Sequence, residues 1–284
     1  MTTRRPSTMV VDEEEELLDL IRPMLSRDLR EVARTLSPRE IRYLVDFYYM
    51  TQENRKSLDN QVRQMATEPH TLIAWFGKGQ RITERLLPAM FGIYAQEQPV
   101  GRWALSICGI GPVIAAGLMA RIDIEKAPTV GHIWRFAGLD PTTTWNKGEK
   151  RPWNASLKTL CFKIGESFVK VSGRPQDIYG KLYLKRKAYE QARNEAGELA
   201  GQATAKLTHF KIGEDTEAYK AYIQGRLPLA HIHARARRWT VKVFLAHYHH
   251  VAYEVRFGEP PPLPFILTQP AHTHFIKPPN WPME

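Results

Sequence analysis

The chain has 284 residues, 43% hydrophobic and 25% charged, with 40 Lys and Arg against 30 Asp and Glu for a formal net charge of +10. That composition excludes a disordered chain and suffices to bury one or two cores. No run approaches the ~18 apolar residues of a membrane span, and Met1-Thr2-Thr3-Arg4-Arg5 leads into no signal-peptide core; two cysteines, Cys108 and Cys161, exclude a four-thiolate zinc site and fit a reducing compartment.

The pattern predicts helices throughout. Residues 1–100 read as an N-terminal helical region. Glu13 to Leu25 carries Leu17, Leu20, Ile21 and Met24 on one stripe. The acidic run Asp12 to Glu16 before it suits a helix start; consecutive residues cannot all face one metal on a helix. Ser37-Pro38-Arg39-Glu40 is a capping box with proline in the first helical position, opening a helix to about Met50. Further helices are expected over Leu58–Thr67 and Ile73–Tyr94, the latter interrupted near Gly77 and Pro88.

Residues 101–173 hold the densest motif, Gly109-Ile110-Gly111-Pro112-Val113-Ile114. Two glycines leave a turn free of side chains, and proline suits the first helical position after it. The pattern reads as the turn and second helix of a helix-hairpin-helix, with amides of Gly109, Gly111, Val113 and Ile114 offered to phosphate. A dinucleotide fingerprint needs a preceding strand and a third glycine. Here Ile114 takes that place, and Trp103-Ala104-Leu105 reads as helix. A helix from Ser156 to Val171 follows, with Leu157, Leu160, Cys161, Ile164 and Phe168 on one face.

Charge is unevenly spread. Residues 1–100 have 14 Lys and Arg against 15 Asp and Glu, whereas residues 146–256 have 21 against 10. A localised basic surface is the footprint of a nucleic-acid binder; a merely solvated helix face is the alternative. Residues 174–257 are expected to form a basic arm over 176–207, either an extended helix or a helical hairpin, and a long helix from about Pro228 to Phe257. Arg235 and Arg238, three apart on that helix, are candidate phosphate ligands. His247, His250 and Glu254 share a helix face at metal-ligand spacing, but without an H-E-x-x-H pattern a polar face is the preferred reading. Trp145 and Trp153 flank a basic loop and could stack on a base or pack; Trp134 and Trp239 read as packing. Residues 258–284 form a proline-rich, extended tail.

From Leu105 to about Val171 the chain resembles the C-terminal domain of bacterial insertion-sequence transposases that pair an N-terminal RuvC-like domain with a C-terminal helix-hairpin-helix domain and use an RNA guide. The blocks that carry the resemblance are Gly109-Ile110-Gly111-Pro112, Arg121-Ile122-Asp123, Phe136-Ala137-Gly138-Leu139-Asp140-Pro141, Lys147-Gly148-Glu149-Lys150 and Asn154-Ala155-Ser156-Leu157-Lys158, in order. The resemblance implies DNA contact through Lys147, Lys150, Arg151 and Lys158. The departures are as informative. The nucleophilic serine of the family falls in register with Asn146 or Lys147, nearby Ser156 sits in a helix start, and residues 1–100 show no strands carrying spaced metal-binding acids.

The sequence therefore predicts an all-α protein with four segments: 1–100, 101–173, 174–257 and 258–284. The expected function is a non-catalytic DNA-binding role of mobile-element origin, with no cofactor, metal or catalytic residue. Branched DNA or RNA remain open as partners, and a homo-oligomer is expected. The expected setting is cytoplasmic and nucleoid-associated, in a bacterium or phage, without a membrane. The alternatives are an active recombinase carrying out strand exchange and a helical oligomeric scaffold.

Overall fold

The structure, a computed structural model, describes residues 27–65, 71–263 and 275–283. The described residues form eleven α-helices and one short 3-10 turn, with no strand. The all-α expectation holds. The predicted helix from Glu13 to Leu25 and the acidic run before it lie outside the described residues. The chain divides into two compact units.

The first unit takes the chain up to Gly101 together with Gly111–Ala120. Its helices are α1 (Arg27–Thr35), α2 (Pro38–Gln64), α3 (Thr71–Gln96), the start of α4 (Pro99–Ser106) and α5 (Pro112–Arg121). The capping box of α2 forms as the sequence predicts: the Ser37 N–H donates to Glu40 Oε2 at 2.7 Å, and the Glu40 N–H donates to Ser37 Oγ at 3.3 Å. The hydrogen bond from the Ser37 side chain, then that from its backbone, holds the Glu40 carboxyl below its usual pKa. Ile41, Val45, Leu87, Phe91, Tyr94, Ala116 and Ala120 make the core.

Helices α2 and α3 are longer than apolar periodicity predicts. The polar stretch after Met50 continues α2 because its side chains face partners on α3. Gln52 donates to Glu84 Oε1 at 2.9 Å, and Arg55 bonds Glu84 while also reaching Asp59 Oδ2 at 2.9 Å. Arg81 reaches Asp59 Oδ1 at 2.9 Å. These pairs, with Tyr48 edge-on to Phe91, run in opposite sequence directions and make the two helices antiparallel. A polar seam leaves no apolar stripe, so the sequence reads as an interruption there. Pro88 likewise stays inside α3, flanked by Leu87 and Phe91 anchored in the core. The burial of those neighbours outweighs the backbone hydrogen bond that proline forgoes.

The second unit takes Arg102–Ile110 and the chain from Arg121 onward. After a 3-10 turn over Ile124–Lys126 come α6 (Val130–Phe136), α7 (Ala155–Val171), α8 (Tyr179–Glu195), α9 (Ala200–His209), α10 (Glu217–Ile223) and α11 (Leu229–Phe257). At 29 residues, or about 43 Å, α11 is the spine against which α6, α7 and α8 pack. Trp103 stacks on Phe244 at 5.8 Å, and Phe168 stacks on Tyr179 at 4.7 Å, in a fully buried aromatic core.

Of the two forms expected for 176–207, an extended helix or a helical hairpin, the single extended helix is excluded, because the segment breaks at its middle. Helix α8 stops after Glu195, where the Gly197 N–H donates to Asn194 O at 3.2 Å and the Glu198 N–H to Arg193 O at 3.1 Å. Helix α9 then folds back with α10 around Leu199, Ala203, Tyr222, Leu227 and Ile232. The described end of the tail, residues 275–283, lies back on this unit. Trp103 Nε1 donates to Pro279 O at 2.7 Å, and Asn280 Nδ2 donates to Ser106 O at 3.2 Å.

Candidate nucleic-acid interface

The basic loop between α6 and α7 is a built structure. Residues Asn146 to Glu149 form a β-turn closed by the Glu149 N–H donating to Asn146 O at 3.2 Å. The Glu149 carboxylate accepts from the Asn146 N–H at 3.1 Å and from Asn146 Nδ2 at 3.2 Å. Trp145 Nε1 donates to Glu149 O at 2.8 Å. The Asn146 contacts hold the Glu149 carboxyl below its ordinary pKa, so it stays ionised and turned toward Asn146. Lys147, Lys150 and Arg151 project from this frame into solvent.

The loop is seated on the end of α6 by Gly138. There the helix closes with the Gly138 N–H on Arg135 O at 3.0 Å and the Leu139 N–H on Trp134 O at 2.8 Å. Gly138 has φ +65°, and a Cβ on it would lie 2.8 Å from Trp153 Cγ and 3.0 Å from Lys158 Cδ. Only glycine meets both conditions. Asn154 then caps α7, its Oδ1 accepting from the Leu157 N–H at 2.8 Å while its N–H donates to Phe136 O at 2.9 Å.

Cations and aromatic rings alternate over this surface. Arg151 lies 5.6 Å from the Trp145 ring centre, Trp145 meets Trp153 edge-on at 6.0 Å, and Lys158 Nζ sits 3.9 Å from the Trp153 ring centre. One turn along α7, Phe162 is 54% exposed beneath the Arg237 guanidinium at 4.2 Å. Loss of water around its ammonium, followed by the charges of Arg151 and Arg238, holds the Lys158 pKa below the usual lysine value. Among the described residues, none of Lys147, Lys150, Arg151, Lys158 and Arg238 forms an ion pair with a carboxylate. Arg151 and Arg238 crowd Lys158 with like charge, which a bound anion relieves.

The other predicted contacts fare differently. The Arg235 Nε donates to Glu190 Oε2 at 2.9 Å and its NH1 to Gln202 Oε1 at 2.7 Å. Arg186 also bonds the buried Glu190, so this carboxylate ties α8 to α11. Burial alone would raise the Glu190 pKa, but Arg235 and Arg186 outweigh it and hold the pKa low. Arg235 is therefore engaged internally, whereas Arg238, three residues on, is exposed.

At the glycine turn, Gly109 has φ +95° and a Cβ there would lie 3.2 Å from Val171 Cγ2 and 3.3 Å from Phe168 Cδ1. Its carbonyl accepts from Ser167 Oγ at 2.5 Å. Gly109 thus packs on the end of α7. Pro112 opens α5 as predicted, and Gly111 O accepts from the Ile114 and Ala115 N–H groups, both at 3.0 Å. The Ile114 amide is thereby satisfied within the helix, and Gly111 and Val113 are partly exposed.

Two histidines of α11, His247 and His249, are tied into the fold. His247 Nε2 donates to Ile276 O at 2.8 Å, while its Nδ1 accepts from the Tyr179 hydroxyl at 2.7 Å. Burial pushes the His247 pKa down to about 4. His249 donates to Ala127 O at 2.7 Å, and Glu254 accepts from Trp281 Nε1. Among the described residues no group of three or more His, Cys, Asp or Glu could hold a metal ion. Of the tryptophans, Trp145 is exposed and Trp153 is sequestered by Gly138 and Lys158. Trp134 packs against α11, its Nε1 donating to Lys242 O at 3.1 Å. Phe162 was not singled out from the sequence, although a signal existed: it falls off the apolar stripe of Leu157, Leu160, Cys161, Ile164 and Phe168.

Compared with known families, residues 102–151 match the model of the Transposase IS116/IS110/IS902 family. The match runs from within α4 through the glycine turn, α5 and α6 and ends on the basic loop, making this stretch transposase-like and tying it to mobile elements. No curated protein and no solved structure matches the chain. No helix among the described residues is long and apolar enough to cross a membrane.

Proposed function

We propose that this protein binds DNA through its phosphate backbone, as a non-catalytic, accessory component of a mobile element or of its domesticated descendant. The observation that carries the reading is that Lys147, Lys150, Arg151, Lys158 and Arg238 form no ion pair with a carboxylate among the described residues, while the loop that holds the first three closes the transposase-like stretch. Backbone contacts of this kind give affinity with little sequence readout. The helix-hairpin-helix reading adds amides of the glycine turn, with Gly111 and Val113 better disposed than Ile114, whose N–H is already bonded. The non-catalytic assignment rests on the loop itself: Asn146 and Lys147 stand where a nucleophilic serine is expected, and Asn146 is held by Glu149.

The test is binding to labelled duplex DNA across a salt series. Affinity should fall steeply with salt, and the triple variant Lys147→Ala, Lys150→Ala, Arg151→Ala should flatten the slope by about 0.9 per lost duplex contact. An unchanged slope removes the loop from the interface. The family match also favours a second reading, an active recombinase. In that case Ser156, exposed in the first turn of α7, is the nearest hydroxyl nucleophile on that helix. A covalent protein–DNA adduct formed with magnesium present and lost in Ser156→Ala would establish it.

A further inference from the structure

We propose that the ribbon running from Arg151 and Trp145 through Trp153 and Lys158 to Phe162 and Arg237 takes a DNA strand with unpaired bases, which stack on Trp145 and Phe162. The inference rests on the phosphate-binding reading of the same surface and names the form of DNA it prefers. In a perfect duplex the base faces are covered by their neighbours, so a protein that reads only duplex phosphate has no use for exposed rings. Here the cations are interleaved with rings instead of standing among polar side chains, the arrangement that suits single strands.

The rings divide by role. Trp153 is held in place by Gly138 and Lys158 and braces Trp145 edge-on. Trp145 is fixed by its bond to the Glu149 carbonyl yet remains 37% exposed. Phe162 stands on the solvent face of α7 beneath Arg237, and Glu166 anchors that guanidinium. Lys158 links the two exposed rings: its Nζ lies over Trp153, which braces Trp145, and it precedes Phe162 by one turn of α7, so it can meet a phosphate of the same strand. The immobile rings lose little freedom on stacking, so contact with a base is favoured.

The experiment compares three labelled probes of equal length at one salt concentration: an oligothymidine strand, an abasic strand with the same phosphates, and a fully paired duplex. The full-length protein should bind the intact strand about tenfold tighter than the abasic one, with quenching of tryptophan fluorescence. Phe162→Ala should remove most of that difference and Phe162→Trp should keep it. Because Phe162 is exposed and Arg237 is held by Glu166, neither change should alter the melting temperature. Equal affinity for intact and abasic strands overturns the stacking proposal while leaving the phosphate reading in place. Tighter binding to the duplex than to the intact strand also overturns it. Failure to bind any of the three overturns both.

Discussion

Two basic regions of the second unit meet opposite fates. Between α8 and α11, Arg186 and Arg235 converge on Glu190, which is 1% exposed, and the charges serve to join helices. Around the loop ahead of α7, Lys147, Lys150, Arg151, Lys158 and Arg238 have no carboxylate ion-pair partner among the described residues, and Arg151 and Lys158 lie against aromatic rings instead. The comparison teaches that a count of positive residues does not locate a binding surface. What matters is whether a buried acid has already claimed them.

The sharpest way to break the distinction is at Glu190. Changing Glu190→Gln leaves the half-buried Arg186 and Arg235 against a neutral partner, and should cost about 3 kcal/mol, read from chemical denaturation. A loss as small as that of an exposed ion pair would place Glu190 among ordinary surface acids.

Acid should attack the same unit next. Burial holds His247 neutral in the folded protein, with a pKa of about 4, while its ordinary value is 6.5. The unfolded chain therefore takes up the proton first as pH falls. Stability is fully present above about pH 6.5 and is lost as pH drops toward 4, by about 3 kcal/mol from this residue. His247→Gln should blunt that dependence in thermal melts run from pH 7 to 4; an unchanged profile would assign the acid sensitivity elsewhere.

On the loop side, Gly138→Ala forces a Cβ toward Trp153 at φ +65°, and should destabilise by about 2 kcal/mol. It should weaken DNA binding as well, because the same contact seats Lys158. The finest contrast is between two arginines three residues apart. Arg235→Ala should lower the melting temperature because it strips Glu190 of a partner. Arg238→Ala should leave the melting temperature unchanged and reduce the salt slope of duplex binding by about 0.9. The reverse pattern would exchange their roles.

Much of this was legible in the chain itself. The capping box at Ser37, the proline opening α5, the apolar face of α7 and the length of α11 are local patterns, set by backbone hydrogen bonding and helical period. So was the transposase-like stretch, whose motif blocks are short and ordered. What only the tertiary structure decided is partnership across the fold. The continuity of α2 depends on Glu84 of α3, the engagement of Arg235 on Glu190 45 residues away, and the withdrawal of Trp153 on Gly138. Each is a contact between residues distant in sequence, or turned together by a glycine, and neither composition nor periodicity encodes which acid meets which base. The residue types and the helices follow from the order of the chain; which charges are left facing solvent follows from how those helices pack.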